Sequence, residues 1–166
     1  MRLFVAVPLS PAVKGMLSRG MADLRGQGSG TFTRVENLHL TLAFLGETDR
    51  LAAAEAALDR CRLGPAFPIT VGGLGRFGDL WWTGVREEGD RLSSLAAAVQ
   101  QALREEGFAI ERRGWKPHIT LVRRWQGGTP RVQLPSTSME VRRFLLMESA
   151  RREGRLTYTP LRQWEL

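Results

Sequence analysis

The chain contains only two histidines, and both begin the same four-residue pattern. His39 opens "HLTL" and His118 opens "HITL", so each histidine is followed two residues later by a threonine, Thr41 or Thr120. Imidazole has an unperturbed pKa of about 6.5, so one such group can accept a proton at neutral pH while another donates one. In-line displacement at phosphorus uses a base on one side and an acid on the other. The pair therefore favours acid–base chemistry at a phosphoryl group.

Both patterns predict β-strands in which the histidine and the threonine share one face. Side chains alternate along a strand, so Leu40 and Ile119, which follow the two histidines, are expected on the opposite, apolar face. Threonine hydroxyls can donate to phosphoryl oxygens as charge builds in the transition state. Two such strands facing each other across a cleft would supply a base, an acid and two hydrogen-bond donors.

Paired histidines also have other uses. A lone buried histidine is more often a hydrogen-bonded core residue than a catalyst, but two matched patterns reverse that expectation. Zinc is usually held by four ligands, and no third ligand stands at a recognisable spacing from these histidines. The single cysteine, Cys61, cannot form an internal disulfide and is interpreted as a reduced structural thiol. The sequence therefore predicts no metal and no cofactor.

The surrounding sequence predicts a mixture of helices and strands. Ser10 and Pro11 are typical of a helix start, with the helix ending near the glycines of "RGQGSG", and Thr48 is expected to cap a helix within residues 49–61. A third helix is predicted over residues 90–106 from its leucine and valine spacing. Strands are predicted at residues 2–8, 38–45, 69–78, 80–89, 108–113, 118–124, 139–149 and 156–166, the last two as a hairpin that turns at Gly154.

The two halves of the chain echo each other, because each has a helix followed by strands and one His-x-Thr-Leu pattern. This favours an internal duplication with a pseudo-twofold axis, within a single domain of two interleaved lobes over residues 1–166. No apolar run approaches the roughly 20 residues of a membrane span, and the apolar stretch in "MRLFVAVPLS" is too short for a secretory signal. We therefore expect a cytoplasmic protein with no membrane partner, and we also expect a monomer.

The formal net charge of +7 comes from 24 basic residues, of which only Lys14 and Lys116 are lysines. Two interpretations are open. A genome rich in G and C encodes basic residues as arginine whatever the function. Alternatively, guanidinium groups bind phosphate through two hydrogen bonds and stack on bases, which suits RNA or another anionic substrate.

The sequence resembles the 2H phosphoesterases, and within them the RNA 2',3'-cyclic phosphodiesterases historically called 2'-5' RNA ligases. The resemblance runs almost end to end, through "RLFVAVPL", "HLTLAFLGE", "KPHITLVR" and "MESARREGRLTYTPLRQW". It implies an α+β, bilobal 2H phosphoesterase fold, in which two pseudo-twofold-related lobes of antiparallel sheet with outer helices surround a central cleft.

For the chemistry, the resemblance implies metal-independent hydrolysis of the 2',3'-cyclic phosphate at an RNA end to a 2'-phosphate. By that analogy His39 is the general acid and His118 the general base, while Thr41, Thr120 and Arg123 bind the phosphate in the transition state. Reversible 2'-5' ligation of RNA is implied at the same site. The residues alone do not assign the acid and the base.

Three further residues near the two patterns, Arg124, Phe44 and Trp115, each have two interpretations. Strict alternation places Arg124, rather than Arg123, on the face of His118, so either the strand ends or bulges at Val122, or Arg124 contributes to the site as well. Phe44 could stack on a nucleobase, but alternation places it on the apolar face and favours core packing. Trp115 is interpreted either as a base contact or as a cover for the strand end.

The predicted substrate is RNA with a 2',3'-cyclic phosphate end, and tRNA fragments are one candidate source. A rival hypothesis keeps the site and changes the substrate to a small cyclic nucleotide or an ADP-ribose cyclic phosphate. A second rival is a module that binds RNA ends without turnover. Such a module would not need two titratable imidazoles, so substitution of the histidines separates it from the enzyme.

Overall fold

The computed structural model describes residues 1–61 and 64–166. Within these residues the chain forms nine strands, three α-helices and one short 3-10 turn. In chain order the elements are β1 (Arg2–Pro8), α1 (Pro11–Arg25), β2 (Gly28–Phe32), the 3-10 turn (Val35–Asn37), β3 (His39–Glu47), α2 (Leu51–Asp59), β4 (Phe67–Phe77), β5 (Leu80–Arg86), α3 (Arg91–Glu105), β6 (His118–Gly127), β7 (Thr137–Val141), β8 (Arg143–Arg152) and β9 (Arg155–Glu165).

The strands form two sheets in which all neighbours are antiparallel. The first sheet has the order β3-β1-β8-β9, and the second has the order β2-β6-β5-β4-β7. Apart from the extra edge strand β2, the two orders correspond, with β3 equivalent to β6, β1 to β5, β8 to β4 and β9 to β7. This correspondence confirms the predicted bilobal α+β architecture and its pseudo-twofold relation.

Amphipathic helices provide the apolar layer over the sheets. α3 buries Leu92, Leu95, Val99 and Leu103, the residues whose spacing predicted it, and contacts β3 of the first sheet and β4 of the second. α1 begins as predicted, with the Ser10 hydroxyl accepting from the Val13 amide at 3.2 Å, and it packs on β2, β6 and β7. In the described part of the chain, no helix has the length and apolar character needed to cross a bilayer.

Two predicted strands differ in the structure. Residues 108–113 form an irregular loop, in which Phe108 and Ile110 are buried. Phe108 and Ile110 are apolar because they pack into the core, and the loop that carries them pairs with no strand of the described chain. The strand predicted over residues 139–149 divides at Arg142 into β7 of the second sheet and β8 of the first.

Two local predictions at element starts are also corrected. Thr48 does not cap α2, because its hydroxyl accepts from the Arg50 amide at 3.0 Å before the helix begins. Strand β2 was not predicted, because its glycines were expected only at the end of the first helix. Those glycines instead permit close approach, since a Cβ on Gly28 would lie 2.5 Å from the Trp125 ring and one on Gly30 would lie 2.7 Å from a backbone oxygen of β6.

Candidate active site

A cleft of about 910 Å³ brings the two histidines and the two threonines together. His39 and Thr41 come from β3, whereas His118 and Thr120 come from β6, so each sheet contributes one strand. Most of the remaining wall belongs to β1, β3, β8 and β9 of the first sheet. The cleft thus extends from the histidine pair over the first sheet, and this side has room for a nucleoside.

The first motif contains a β-bulge directly after its threonine. In the pairing of β3 with β1, Thr41 is opposite Ala6 and Ala43 is opposite Val5, which leaves Leu42 as an extra residue. A bulge interrupts the alternation of side chains along the strand. Leu42 and Ala43 are therefore both buried, and Phe44 returns to the cleft face, where it is 61% exposed. The alternation that favoured core packing for Phe44 does not hold across the bulge.

The second motif contains the same bulge at the equivalent position. In the pairing of β6 with β5, Thr120 is opposite Trp82 and Val122 is opposite Trp81, which leaves Leu121 as the extra residue. Leu121 and Val122 are both buried, as their counterparts are in the first motif. The two motifs therefore share their backbone geometry as well as their residue types.

The second bulge determines which arginine faces the cleft. Arg123 lines the cleft with His118, whereas Arg124 lies outside its wall with a left-handed φ of 55° at a second irregularity, in the pairing with β2. Of the two arrangements expected for this strand, the bulged one is present, with Leu121 rather than Val122 as the extra residue. Arg123 stands five residues after its histidine, as Phe44 does in the first motif.

Each bulge is held by donors from elsewhere in the chain. In the first motif, the Trp115 indole donates to the Thr41 carbonyl at 3.2 Å, and the buried Gln100 amide donates to the Leu42 carbonyl at 2.9 Å. Trp115 packs against the core and does not belong to the described cleft wall. Trp115 therefore supports β3 from behind, and its contact with substrate stays a prediction.

In the second motif, one residue provides both donors. The Thr33 hydroxyl donates to the Thr120 carbonyl at 3.0 Å, and the Thr33 amide donates to the Leu121 carbonyl at 2.9 Å. Carbonyls that a bulge removes from the ladder need other partners when they are buried. The two motifs satisfy this requirement at equivalent carbonyls with unrelated donors.

Both imidazoles are oriented by the same backbone contact. Nδ1 of His39 lies 2.7 Å from the Asn37 carbonyl, and Nδ1 of His118 lies 2.8 Å from the Lys116 carbonyl. A carbonyl only accepts, so Nδ1 carries the hydrogen in each ring and Nε2 is the atom that exchanges protons. Nε2 of His39 lies 2.8 Å from the Thr41 hydroxyl, which can donate to it.

The surroundings of His39 favour its neutral form. Burial lowers the pKa of His39, the hydrogen bond to the Asn37 carbonyl raises it, and the positive charges of Arg123 and His118 lower it further, with a net lowering. The rings of Phe4 and Tyr158 lie 4.9 Å and 5.1 Å from the His39 ring. The free protein therefore keeps this imidazole neutral at a lower pH than an exposed histidine.

Three residues of the site were missed in the sequence. Thr33 and Asn37 act through contacts that only the tertiary structure reveals, and Asn37 also donates from its side chain to the Leu156 carbonyl at 2.9 Å. Tyr158, the only tyrosine of the chain, lines the cleft on the first sheet. Its uniqueness was the one signal available.

Charged groups of both signs complete the cleft wall. Arg2, Arg123 and Arg151 lie on it together with Glu47 and Glu148. In residues 1–61 and 64–166, no group of three or more histidine, cysteine or acidic side chains is arranged to hold a metal ion. The chemical groups concentrated at the centre of the cleft are thus two imidazoles, two hydroxyls and one guanidinium.

The cleft and its paired motif strands have the arrangement that the resemblance to the two-histidine class of phosphoesterases implied. The chain belongs to the 2'-5' RNA ligase superfamily, whose family model matches residues 13–151. It is 36% identical to an RNA 2',3'-cyclic phosphodiesterase of Geobacillus stearothermophilus over 76% of this chain and 43% of the relative, so it spans less than half of that protein's length.

Two further proteins are similar over most of their length. An RNA 2',3'-cyclic phosphodiesterase of Thermotoga maritima is 34% identical, covering 90% of this chain and 87% of the relative. The crystal structure of E. coli LigT complexed with 3'-AMP covers 99% of this chain and 97% of LigT, with a TM-score of 0.83 and 31% identity. The similarity to solved structures confirms the fold.

Proposed function

We propose that the protein hydrolyses the 2',3'-cyclic phosphate at an RNA end to a 2'-phosphate, with His39 and His118 as the acid–base pair. The observation that carries this proposal is the arrangement of the two imidazoles. Both hold Nδ1 on a backbone carbonyl and line one cleft, so Nε2 is the proton-transfer atom of each ring, and in the free protein the Thr41 hydroxyl lies 2.8 Å from Nε2 of His39. The names of the curated relatives support the choice of substrate.

In the proposed reaction the phosphorus lies between the two imidazoles. His118 takes a proton from water as the new P–O bond forms, and His39 gives a proton to the 3' oxygen as the P–O3' bond breaks. The hydroxyls of Thr41 and Thr120 and the guanidinium of Arg123 stabilise the charge on the remaining phosphoryl oxygens. The products are a 2'-phosphate and a free 3'-hydroxyl.

A His39 acid must be protonated when the substrate is bound, although the free protein favours its neutral form. The cyclic phosphate is an anion, and a nearby negative charge raises the pKa of an imidazole. Substrate binding would therefore raise the pKa of His39 and favour the protonated ring that catalysis requires. The protonation of the acid is thus coupled to the binding of the phosphate.

The first test is incubation with a short RNA that ends in a 2',3'-cyclic phosphate, in the presence of EDTA. We expect a 2'-phosphate product with wild-type protein and a loss of about a hundredfold to ten-thousandfold in His39→Ala and in His118→Ala. RNA affinity should be largely retained in both variants. Loss of wild-type activity in EDTA with rescue by a divalent ion would contradict the metal-free mechanism.

The volume of the cleft also fits the rival class of substrates, the small cyclic phosphates. About 910 Å³ is enough for a nucleotide, so small cyclic nucleotides and ADP-ribose cyclic phosphate remain the alternative substrates. Hydrolysis of a mononucleotide at a kcat/KM equal to that of the RNA would favour this alternative. Binding of RNA ends without any product would favour a non-catalytic module.

The proposal includes the biological setting predicted from the sequence. The enzyme acts as a cytoplasmic monomer on RNA fragments such as those of tRNA. Light scattering during size exclusion tests the monomer, and sequencing of RNA ends that accumulate without the enzyme tests the substrate.

A further inference from the structure

An aromatic and cationic surface lies beside His118, outside the cleft wall. We call it the His118 platform and define it by Phe77, Trp82 and Lys116. The Phe77 ring lies 5.2 Å from the His118 ring at 85°, and the Trp82 ring lies 6.0 Å from it. The Lys116 ammonium lies 5.5 Å and 5.0 Å from the centres of the Phe77 and Trp82 rings. The platform therefore adjoins the histidine pair on the side of the second sheet.

The platform is accessible and its geometry is fixed. Phe77 is 44% exposed at the end of β4, although most large aromatic side chains of the described chain are buried. Trp82 lies against the backbone of Gly75, where a Cβ would come within 2.2 Å of the indole. Glycine at this position thus allows the indole to lie on β4, and Phe77 packs beside it at 5.2 Å.

The charge of the platform suits a phosphate. Lys116 is one of two lysines in the chain, and none of the ion pairs formed among the described residues includes it. Its ammonium lies over two ring faces, a favourable cation–π position that still leaves its donors available. Nucleobases stack on such aromatic surfaces and phosphates bind the adjacent cation, which is the composition of a single-stranded RNA site.

The in-line reaction specifies which nucleotide this surface can serve. The nucleoside that carries the cyclic phosphate has its room over the first sheet. The attacking oxygen enters on the opposite side of phosphorus from the leaving 3' oxygen, next to the general base His118. Water attacking there needs no platform. A 5'-hydroxyl attacking there brings a ribose, a base and a 3' phosphate with it.

We propose that the His118 platform binds the first nucleotide of a 5'-hydroxyl RNA strand, which then replaces water as the nucleophile. The inference rests on the proposed function. His118 takes the proton of the 5'-hydroxyl, the P–O5' bond forms as the P–O3' bond breaks, and His39 protonates the 3' oxygen. The product is a 2'-5' phosphodiester with a free 3'-hydroxyl, and the reverse reaction cleaves that bond.

The experiment measures joined and hydrolysed products in one reaction that contains a cyclic-phosphate RNA and a 5'-hydroxyl RNA. Phe77→Leu keeps an apolar side chain against His118 but removes the stacking face, and Lys116→Gln removes only the charge. We expect Phe77→Leu to lower the ratio of joined to hydrolysed product by about tenfold, since base stacking has effects of this size. Lys116→Gln should lower the ratio as well, because the acceptor phosphate loses its cation. Hydrolysis in the same tube reports that the variant is folded.

A matched control and a substrate change make the test specific. Lys14→Gln removes the other lysine, which lies on α1 away from the cleft, and should leave the ratio unchanged. Wild-type protein should join an acceptor whose first nucleotide is abasic as poorly as the Phe77→Leu variant joins the normal acceptor. The two changes together should lower the ratio no further, because both remove the same contact.

The outcomes separate this inference from the function on which it rests. An unchanged ratio of joined to hydrolysed product in Phe77→Leu and Lys116→Gln overturns the platform as an acceptor site. The same conclusion follows if wild-type protein hydrolyses the cyclic-phosphate RNA but joins none of it to acceptor RNA at millimolar concentration. Wild-type protein that neither hydrolyses nor joins the cyclic-phosphate RNA overturns the proposed function instead.

Discussion

His39 and His118 are held in the same way but in different surroundings. Each donates from Nδ1 to the carbonyl two residues before it, whereas only His39 packs between the rings of Phe4 and Tyr158. Burial and two nearby positive groups lower the pKa of His39. The pair is therefore symmetric in its backbone and asymmetric in its electrostatics.

The asymmetry predicts the titration of His39 in the free protein. Its pKa should lie below the ordinary value of about 6.5, because burial penalises the charged ring. Addition of 2'-AMP, a mononucleotide with the 2'-phosphate of the proposed product, should raise that pKa, since the phosphate stabilises the imidazolium. Histidine resonances followed by NMR against pH test both statements, with His118→Asn used for assignment. A His39 pKa at or above the ordinary value, or one unmoved by the nucleotide, would contradict them.

The same group predicts a pH dependence of stability. The unfolded chain protonates this histidine near pH 6.5, whereas folded His39 stays neutral to lower pH. The unfolded state therefore binds more protons between the two pKa values, and the free energy of unfolding falls as the pH is lowered through that window. His39→Asn should lack this component. Urea unfolding of both proteins at several pH values measures the difference, and parallel curves would refute the expectation.

At the scale of elements, the two motif strands depend on residues remote in sequence. Gln100 of α3 holds the bulge of β3 through the Leu42 carbonyl, and Thr33, after β2, holds the bulge of β6. The bulges bring Phe44 and Arg123 to the cleft face. The positions of these two side chains therefore depend on α3 and on the segment after β2.

Gln100→Leu is expected to lower both stability and activity. The substitution leaves the buried Leu42 carbonyl without its donor, which costs about 1–3 kcal/mol of unfolding free energy. Loss of the bulge would also displace Phe44 and raise the KM for RNA. The matched control is Gln101→Leu on the same helix, because the exposed Gln101 bonds only to Glu105. Equal effects of the two substitutions would rule out the supporting role of Gln100.

The bulges also explain what the sequence could and could not predict. Helix α3 and the motif strands follow local patterns, and local patterns suffice to place His39 and His118 on one face with their threonines. A bulge is set by pairing with another strand and by distant donors, so strict alternation gave the wrong orientation for Phe44. The loop at residues 108–113 was mistaken for a strand because burial gives both the same apolar composition.

At the scale of the molecule, the chain passes repeatedly between the two sheets. β1 lies in the first sheet, β2 in the second and β3 in the first again, and the C-terminal strands β8 and β9 return to the first after β7. α3 contacts strands of both sheets. Neither lobe is made from one continuous segment, and this supports the proposal of a single domain.

Interleaved lobes predict one cooperative unfolding transition. The far-UV circular dichroism signal reports strands of both sheets, whereas the fluorescence of single-tryptophan variants that retain Trp164 or Trp125 reports the first or the second sheet. Within each variant, the circular dichroism and fluorescence transitions in urea should share one midpoint, because loss of either sheet removes packing from the other. Different midpoints for the two signals of one variant would show that the lobes unfold independently.

The equivalent positions of Phe44 and Arg123 bear on the regiochemistry of the product. Two identical halves would accept a cyclic phosphate in either of two orientations and release both 2'- and 3'-phosphates. Here one half presents an aromatic face and the other a guanidinium at the same place in the motif. A cyclic-phosphate substrate can stack its nucleoside on Phe44 and bind its phosphate to Arg123 at the same time in one orientation only. In the proposed mechanism the duplication thus supplies the proton transfers, and the difference between its copies would select which oxygen leaves.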